Sequence, residues 1–279
     1  REGAREEILR RYFRLTLEGL ARAEGRAPDF AVWPETAFPN TLLAQPQHTG
    51  NAGALMAFVR SSATPLATGA TGVDEASGKR TNSMVFIGRD GGPADKPYNK
   101  AYLLAFGEHV PFSGVFPGLR RWFPRTGDFA PGPGPGTRRI GGLLVGPQIC
   151  YEGLFPDVSR SLADQGAQIF VNVTNDSWFG TSAEPYQHLF MTLARGIEFR
   201  LPVVRATNTG VSAAMRADGT LLERSPLHTE WTGLYEIPYR KAPRPTFYQE
   251  YGFRLVPLIL WLMAAVLITT GWRGRRGGP

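Results

Sequence analysis

The hydrophobic pattern alternates between short apolar runs and longer amphipathic stretches. The short runs, rich in β-branched residues, predict strands at 29–33, 65–73, 81–88, 143–149, 167–173, 202–206, 211–216 and 234–237. Apolar residues at helical spacing predict helices at 6–24, 51–62, 155–163 and 185–200. Since strands and helices alternate along the chain, the pattern predicts an α/β fold.

One long segment, 103–136, follows neither periodicity and is rich in aromatic residues. These are Phe106, Phe112, Phe116, Trp122, Phe123 and Phe129. Aromatic side chains outside regular elements either pack the loop itself or contact an apolar partner, and the sequence leaves both interpretations open. The Pro131–Gly136 stretch is not a phosphate-binding loop, because alternating prolines remove the backbone N–H donors.

The run 255–271 contains no charged residue and is bounded by Arg254 and Arg273. About 17 apolar residues is the lower limit for a transmembrane helix. A buried core helix is the alternative, but such a helix does not normally end a chain with an arginine cluster. We therefore predict a membrane span, with the arginines after it on the cytoplasmic side and the preceding domain on the other side.

Composition adds one candidate nucleophile, since Cys150 is the only cysteine in 279 residues. It lies between the strand predicted at 143–149 and the helix predicted at 155–163. A helix N-terminus directed at this thiol would lower its pKa and favour the thiolate. The competing interpretation is a small buried hydrophobic residue.

Two other segments place charged residues directly after strand-like runs. Glu35 follows the run 29–33, which Pro34 ends, and Lys100 lies in an irregular segment eight residues before Glu108. Such positions gather at one edge of an α/β sheet. Glu35 would take the proton of Cys150, the thiolate would attack a carbonyl, and Lys100 with a backbone N–H would stabilise the oxyanion.

At these residues the sequence resembles the nitrilase superfamily, and more closely its apolipoprotein N-acyltransferase branch. The resemblance covers nearly the whole chain and rests on Trp33-Pro34-Glu35-Thr36, Tyr98-Asn99-Lys100, Phe106-Gly107-Glu108-His109, Cys150-Tyr151-Glu152, 172–180 and 204–210. It implies an α-β-β-α sandwich with a catalytic triad of Glu35, Lys100 and Cys150. It also implies supporting site residues, namely Glu108, Tyr151, Glu152, Asn82 and Trp178.

The resemblance implies a reaction as well. A fatty acyl chain passes from a phospholipid to Cys150 as a thioester, and then to the α-amino group of a lipoprotein's diacylglyceryl-cysteine. The chain would act at the bacterial inner membrane, with its catalytic domain on the periplasmic side. It departs from the branch after the lysine, where Ala101-Tyr102 replaces a basic or His pair and Ala105 replaces a proline.

The expected domain organisation follows from these predictions. Residues 1–250 form the catalytic domain, 254–272 the transmembrane helix, and 273–279 a short basic cytoplasmic tail. The chain begins at Arg1 inside a helical pattern, so we expect it to be a fragment. The resemblance implies that a bundle of membrane helices and the first strand of the catalytic domain precede it.

Other functional classes are less favoured by the composition. The net charge of +7 is concentrated near the two ends of the chain, which fits a membrane surface better than nucleic acid. His48, His109, His188 and His228 have no paired spacing, so neither a metal site nor a cofactor is expected. Two alternatives stay open: an amidase with the same triad and water as second acceptor, and a non-catalytic binding protein.

Overall fold

The computed structural model describes residues 2–42 and 49–276, with side chains described as far as residue 270. His48 and the last three residues of the predicted tail lie outside the described residues. The chain divides into two compact units, 1–243 and Arg244–Pro279, which are described separately.

In its described residues the first unit contains four α-helices and ten strands. The helices are α1 Glu2–Ala21, α2 Gly50–Ser62, α3 Pro156–Asp164 and α4 Glu184–Phe199. The strands are β1 Ala31–Val32, β2 Leu66–Val73, β3 Arg80–Ile87, β4 Tyr98–Asn99, β5 Arg138–Ile140, β6 Leu143–Ile149, β7 Ile169–Thr174, β8 Val203–Thr207, β9 Ala213–Met215 and β10 Leu221–Arg224.

The strands form two sheets. The first has the order β1-β2-β3-β4, with β1 parallel to β2 and the other pairs antiparallel. The second has the order β10-β9-β8-β7-β6-β5, with parallel pairing of β6, β7 and β8 at its centre and antiparallel strands at both edges. The carboxyl ends of β6 and β7 therefore lie side by side.

Alternating side chains on β3 divide the hydrophobic core into two layers. Val85 and Ile87 join the core that the first sheet forms with α1 and α2, whereas Met84 and Phe86 join the core between the two sheets. This alternation is the period of two expected for a strand that is buried on both faces.

Helices α3 and α4 cover the outer face of the second sheet, and glycines permit their close approach. A Cβ at Gly146 on β6 would lie 3.2 Å from the Cβ of Leu162 on α3. A Cβ at Gly196 on α4 would lie 2.6 Å from Val203 Cγ2 on β8. The layers are therefore helix, sheet, sheet and helix, and the predicted α-β-β-α sandwich is confirmed.

The prediction of a strand at 234–237 was wrong. These residues belong to no strand; instead Ile237 packs against the core between the sheets. The apolar residues of this run indicate buried side chains, and a side chain can be buried without its backbone pairing in a strand. Conversely, β10 and the two- or three-residue strands β4 and β5 were missed, because a strand this short or as polar as Arg138-Arg139-Ile140 has no readable alternation.

The second unit consists of a π-helical turn, Tyr248–Gly252, and helix α5, Phe253–Arg276. Within the described residues, Tyr248–Thr270 is long and apolar enough to cross a membrane, judged by length and composition alone. Large apolar side chains along it, such as Trp261 and Leu267, are exposed. The predicted span 255–271 thus coincides with a continuous helix.

Candidate active site

Glu35 lies just beyond β1, in a turn whose backbone is held on both sides. Gly69 of β2 donates its N–H to Pro34 O at 3.1 Å, and Asn208 Nδ2 donates to Glu35 O at 2.8 Å. A Cβ at position 69 would lie 2.5 Å from Glu35 Cα, so only glycine allows this approach. The Glu35 side chain is consequently buried and fixed in direction.

Lys100 follows β4 directly and lies between two carboxylates. Its Nζ is 2.8 Å from Glu108 Oε2 and 3.9 Å from Glu35 Oε1. Asn82 on β3 joins the two acids, because its Nδ2 donates to Glu35 Oε1 at 2.6 Å and to Glu108 Oε1 at 2.7 Å. The Asn82 amide therefore holds the two carboxylates together, one after β1 and one in the segment 103–136, with Lys100 between them.

Cys150 follows β6 and begins a 3-10 turn, Cys150–Leu154. Its φ of +56° lies in the left-handed region, which a non-glycine residue adopts at a cost of about 1–3 kcal/mol. The thiol is affected by the charges of both Glu35 and Lys100 and is hydrogen-bonded to Thr174 at the end of β7. The structure thus brings the side chains of Glu35, Lys100 and Cys150 together at one site between the sheets.

The predicted lowering of the thiol pKa was wrong. The pKa of Cys150 is raised to about 11, first by burial and then by the charge of Glu35, with Lys100 opposing both. The turn after Cys150 is a short 3-10 turn and α3 begins only at Pro156, so no long helix directs its N-terminus at the thiol. At pH 7 the Cys150 thiol is therefore neutral.

The pKa values of the other two site groups are both raised, but for different reasons. Burial raises the pKa of Glu35, while Lys100 and the Asn82 hydrogen bond oppose that rise. Burial alone would lower the pKa of Lys100, but the negative charges of Glu35, Cys150 and Glu108 raise it above its ordinary value. A carboxylate with a raised pKa next to a permanently charged lysine can accept a proton and stabilise an anion.

Glu152 is fully buried and ties the nucleophile turn to the segment after Lys100. One carboxylate oxygen accepts N–H groups from Ala101 at 2.8 Å and Tyr102 at 3.1 Å, and the other accepts Ile149 N–H at 2.8 Å. Tyr98 Oη donates to both oxygens at 3.0 Å. Glu152 therefore fixes the turn after Cys150 and the segment after Lys100 relative to each other.

Tyr151 and Trp178 are placed differently relative to the buried cluster. The Tyr151 ring centroid is 5.1 Å from Lys100 Nζ, a cation–π contact. Trp178 is 84% exposed on a 3-10 turn after β7, three residues beyond Asn175, whose backbone N–H is hydrogen-bonded to Glu35. Tyr151 thus contacts the buried cluster, whereas Trp178 presents its ring to the outside.

The aromatic segment 103–136 is joined to the site through Glu108. Glu108 in this segment accepts the backbone N–H of Leu104 at 2.8 Å while it binds Lys100. Beyond it the aromatic side chains are exposed, by 76% at Phe112 and 81% at Trp122. Phe106 and Phe116 are also exposed, so most of this aromatic surface does not serve to pack the loop itself.

A second buried cluster lies behind the nucleophile, and sequence reasoning did not single out its centre. Arg205 on β8 binds Asp176 Oδ2 through Nη2 at 2.9 Å, and His188 Nδ1 lies 2.9 Å from Asp176 Oδ1. Burial, together with the Arg205 charge, lowers the pKa of His188, so this imidazole is neutral. The available signal was an arginine inside an apolar strand, since a buried charge requires a partner.

Comparisons with known proteins agree with this geometry. Residues 9–242 match the carbon-nitrogen hydrolase family, and the chain belongs to that family. A carbon-nitrogen hydrolase from Helicobacter pylori G27 has the same fold, with a TM-score of 0.58, 17% identity and 82% of both chains covered. An amidase from Nesterenkonia sp. shares it with a TM-score of 0.54, 20% identity, 77% of this chain and 80% of that chain.

Relatives more similar in sequence are apolipoprotein N-acyltransferases. The protein of that name from Bdellovibrio bacteriovorus is 42% identical over 95% of this chain and 50% of its own length. The one from Geobacter metallireducens is 32% identical over 88% of this chain and 46% of its own length. The chain thus spans about half the length of the curated relatives it matches.

Proposed function

We propose that this chain carries the catalytic domain of an N-acyltransferase that moves a fatty acyl group from a phospholipid to the N-terminal amine of a diacylglyceryl-cysteine lipoprotein. The observation that carries the proposal is the 42% identity, over 95% of the chain, to a protein named apolipoprotein N-acyltransferase. The buried acid–lysine–thiol pocket supports it, because acyl transfer through a thioester requires a nucleophile, a base and an oxyanion donor.

In the first half-reaction Glu35 takes the proton of the Cys150 thiol as sulfur attacks the ester carbonyl of the phospholipid. Lys100 and a backbone N–H stabilise the tetrahedral oxyanion. When this intermediate collapses, the C–O bond breaks and the leaving alkoxide takes the proton back from Glu35. The products are a lysophospholipid and an acyl thioester on Cys150.

In the second half-reaction the lipoprotein amine attacks the thioester carbonyl, and Glu35 removes the proton that the nitrogen must lose. The same donors stabilise the second oxyanion, the C–S bond breaks, and the proton returns from Glu35 to the Cys150 sulfur. A thiol pKa of about 11 suits this cycle, because the enzyme rests in the protonated form and generates the thiolate only beside its base.

The exposed aromatic residues and helix α5 support a lipid substrate. Phe112, Phe116 and Trp122 present apolar surface in the same segment as Glu108, where an acyl chain would enter. Helix α5 would anchor the domain in the bacterial inner membrane, with Arg273, Arg275 and Arg276 in the cytoplasm and the catalytic domain on the periplasmic side. Trp178 would extend the lipid-contacting surface.

Intact-mass analysis tests the proposal. The full-length protein is incubated with phospholipid and without an amine acceptor, and an added mass equal to one acyl group is expected on Cys150. Cys150→Ser should lose both the adduct and turnover, because a serine alkoxide is far harder to generate than a thiolate. A diacylglyceryl-cysteine peptide should discharge the adduct and gain the acyl group as an amide.

The same experiment identifies the amidase alternative. Rapid hydrolysis of short water-soluble amides by the wild-type protein, without any acyl adduct from phospholipid, would overturn the acyltransferase proposal. Carbonate extraction adds a second test. If the protein leaves the membrane fraction in carbonate or salt alone, α5 is not inserted.

A further inference from the structure

The buried cluster around Arg205 is connected to the nucleophile through one backbone carbonyl. Asn172 on β7 donates from Nδ2 to Cys150 O at 3.0 Å, and its Oδ1 accepts from Arg205 Nη1 at 2.6 Å. Arg205 is in turn bound to Asp176 at 2.9 Å. A continuous chain of hydrogen bonds therefore joins β8 to the backbone of Cys150.

Arg205 determines which way the Asn172 amide points. A guanidinium has only donors, so the side that faces it must be the amide oxygen. The NH₂ group is then left to face the Cys150 carbonyl. With the amide reversed, the NH₂ would oppose the guanidinium and the oxygen would oppose the carbonyl, so two hydrogen bonds would be lost together.

The carbonyl that Asn172 holds belongs to a residue with a strained backbone. Cys150 has a φ of +56°, and such a conformation persists only where its surroundings fix it. The following turn lies tightly against the same network. A Cβ at Gly153 would be 3.2 Å from Asn172 Nδ2 and 2.9 Å from Thr192 Cγ2.

We infer that Arg205 is a positioning residue for the nucleophile: it orients the Asn172 amide, which fixes the Cys150 carbonyl and so directs the thiol toward Glu35 and Lys100. The effect on turnover rests on the proposed acyl transfer, whereas the effect on the thiol does not. A pair that only stabilised the fold would need Asp176 alone, yet Nη1 of Arg205 is directed at Asn172 and Thr192.

Arg205→Lys tests the inference in the full-length protein. Lysine keeps a charge for Asp176 but has no second nitrogen to orient Asn172. Once Cys150 is released from its fixed backbone, the thiol moves away from Glu35 and toward solvent. The midpoint of iodoacetamide alkylation, followed by peptide mass spectrometry at Cys150, should therefore move from about 11 toward the ordinary value of 9.0.

Formation of the acyl adduct should change in the opposite sense. We expect it to slow by about tenfold or more, because misplacement of a reacting group by ~1 Å costs up to 10²-fold. The thiol would thus become easier to alkylate at pH 9 and slower to acylate. Loss of stability alone reduces the folded fraction and produces neither change within it.

Arg138→Lys is the matched control. Arg138 also uses its guanidinium fork on several acceptors, donating to Lys96 O at 2.8 Å and Pro97 O at 3.0 Å. It lies on β5, three strands from Arg205 in the same sheet, and its guanidinium also contacts Thr137 O and the ring of Tyr98, neither of which holds the Cys150 carbonyl. Its alkylation midpoint and acylation rate should match the wild type.

Asn172→Ser provides a second route if Arg205→Lys folds poorly. Serine is too short to reach the Cys150 carbonyl, while Arg205 keeps Asp176, so the same two opposed changes are expected. Wild-type alkylation and acylation in both folded variants would overturn the positioning role and leave the proposed function intact. A shifted alkylation midpoint in a protein that never forms an acyl adduct would support the positioning role and overturn the proposed function.

Discussion

Two buried clusters of charge flank Cys150, and they differ in their balance of charge. In the first, Lys100 lies between two carboxylates, those of Glu35 and Glu108, and Asn82 joins the acids. In the second, Arg205 faces one carboxylate, Asp176, with a neutral His188 on its far side. The first cluster has one negative charge in excess, and the second is neutral.

The difference in charge explains their different chemistry. Burial, followed by the smaller effect of the Glu108 charge, raises the pKa of Glu35 against the opposing charge of Lys100, which suits the base that we propose it to be. In the second cluster burial also raises the pKa of Asp176, but His188 and Arg205 outweigh it and hold this pKa below its ordinary value. A buried cluster with unbalanced charge favours proton exchange, whereas a balanced one acts as a rigid support.

The largest expected effect comes from removing the excess charge. Glu35→Gln keeps the oxygen that accepts the Asn82 hydrogen bond but removes the base, and general-base catalysis contributes about 10²–10⁴-fold. We expect acyl transfer to fall by roughly 10³-fold. At the same time the alkylation midpoint of Cys150 should move below 11, since the Glu35 charge raises that thiol's pKa.

Glu198→Gln is the matched control for this prediction. Glu198 is another partly buried glutamate whose pKa is raised, in this case by burial, and it pairs with Arg195 at 2.6 Å on α4. This variant should have the acyl-transfer rate and alkylation profile of the wild type. An unchanged alkylation profile in Glu35→Gln would show that the charge does not act on the thiol.

Breaking the balanced cluster should act mainly on stability. Asp176→Asn leaves Arg205 buried without its counter-charge, and removal of one partner of a buried pair costs about 3–5 kcal/mol. Chemical denaturation of the folded domain measures this loss. Asp128→Asn, which weakens surface pairs with Lys79 and Arg120, should cost less than about 1 kcal/mol. Equal losses in both variants would contradict the comparison.

The sequence could predict those features of the fold and of the site that depend on consecutive residues. The bounds of β6 match the predicted 143–149, and the positions of Glu35, Lys100 and Cys150 after strands put them at one edge. The alternation of strands and helices predicted an α/β fold, and the family resemblance implied its α-β-β-α layers. Local patterns suffice here because apolar runs and their ends are written in consecutive residues.

The energetics of the site could not be predicted in the same way. The thiol pKa depends on burial and on Glu35, which lies 115 residues away in sequence and near Cys150 in space. The role of Arg205 depends on contacts with Asn172 on the neighbouring strand and Asp176 in a loop. The combined effect of burial and of charges from residues distant in sequence can be read only from the tertiary structure. The helix-dipole argument for a lowered pKa failed because it considered only neighbouring residues.

Lys100→Arg tests whether the first cluster needs its shape as well as its charge. The Lys100 side chain is only 2% exposed, and its Nζ lies 2.8 Å from Glu108 Oε2. The planar guanidinium of an arginine would therefore displace both the acids and the oxyanion. We expect a loss of roughly 10²-fold in acyl transfer, as for removal of an oxyanion donor. Lys79→Arg, in an exposed pair with Asp128, should behave as the wild type.

Near-normal acyl transfer in Lys100→Ala would be a more severe result, since it would mean that backbone donors alone stabilise the oxyanion. Full activity in Lys100→Arg would show instead that charge without shape is sufficient. Either outcome would contradict the contrast between the Lys100 cluster, whose geometry is needed for reaction, and the Arg205 cluster, which supports the fold.

The smallest expected effect is that of Glu108→Gln, which brings the first cluster closer to the balance of the second. The variant retains one oxygen acceptor, so a loss of only about tenfold is expected at the optimal pH, below the usual 10²–10⁴-fold for a general base. The charge of Glu108 raises the pKa of Glu35, and its removal should lower that pKa. Glu35 must be ionised to act, so activity lost as pH falls should persist to a lower pH in the variant than in the wild type. An acid limb that moves to higher pH would mean that Lys100, freed from Glu108, has moved away from Glu35, and that the second carboxylate holds the lysine in place.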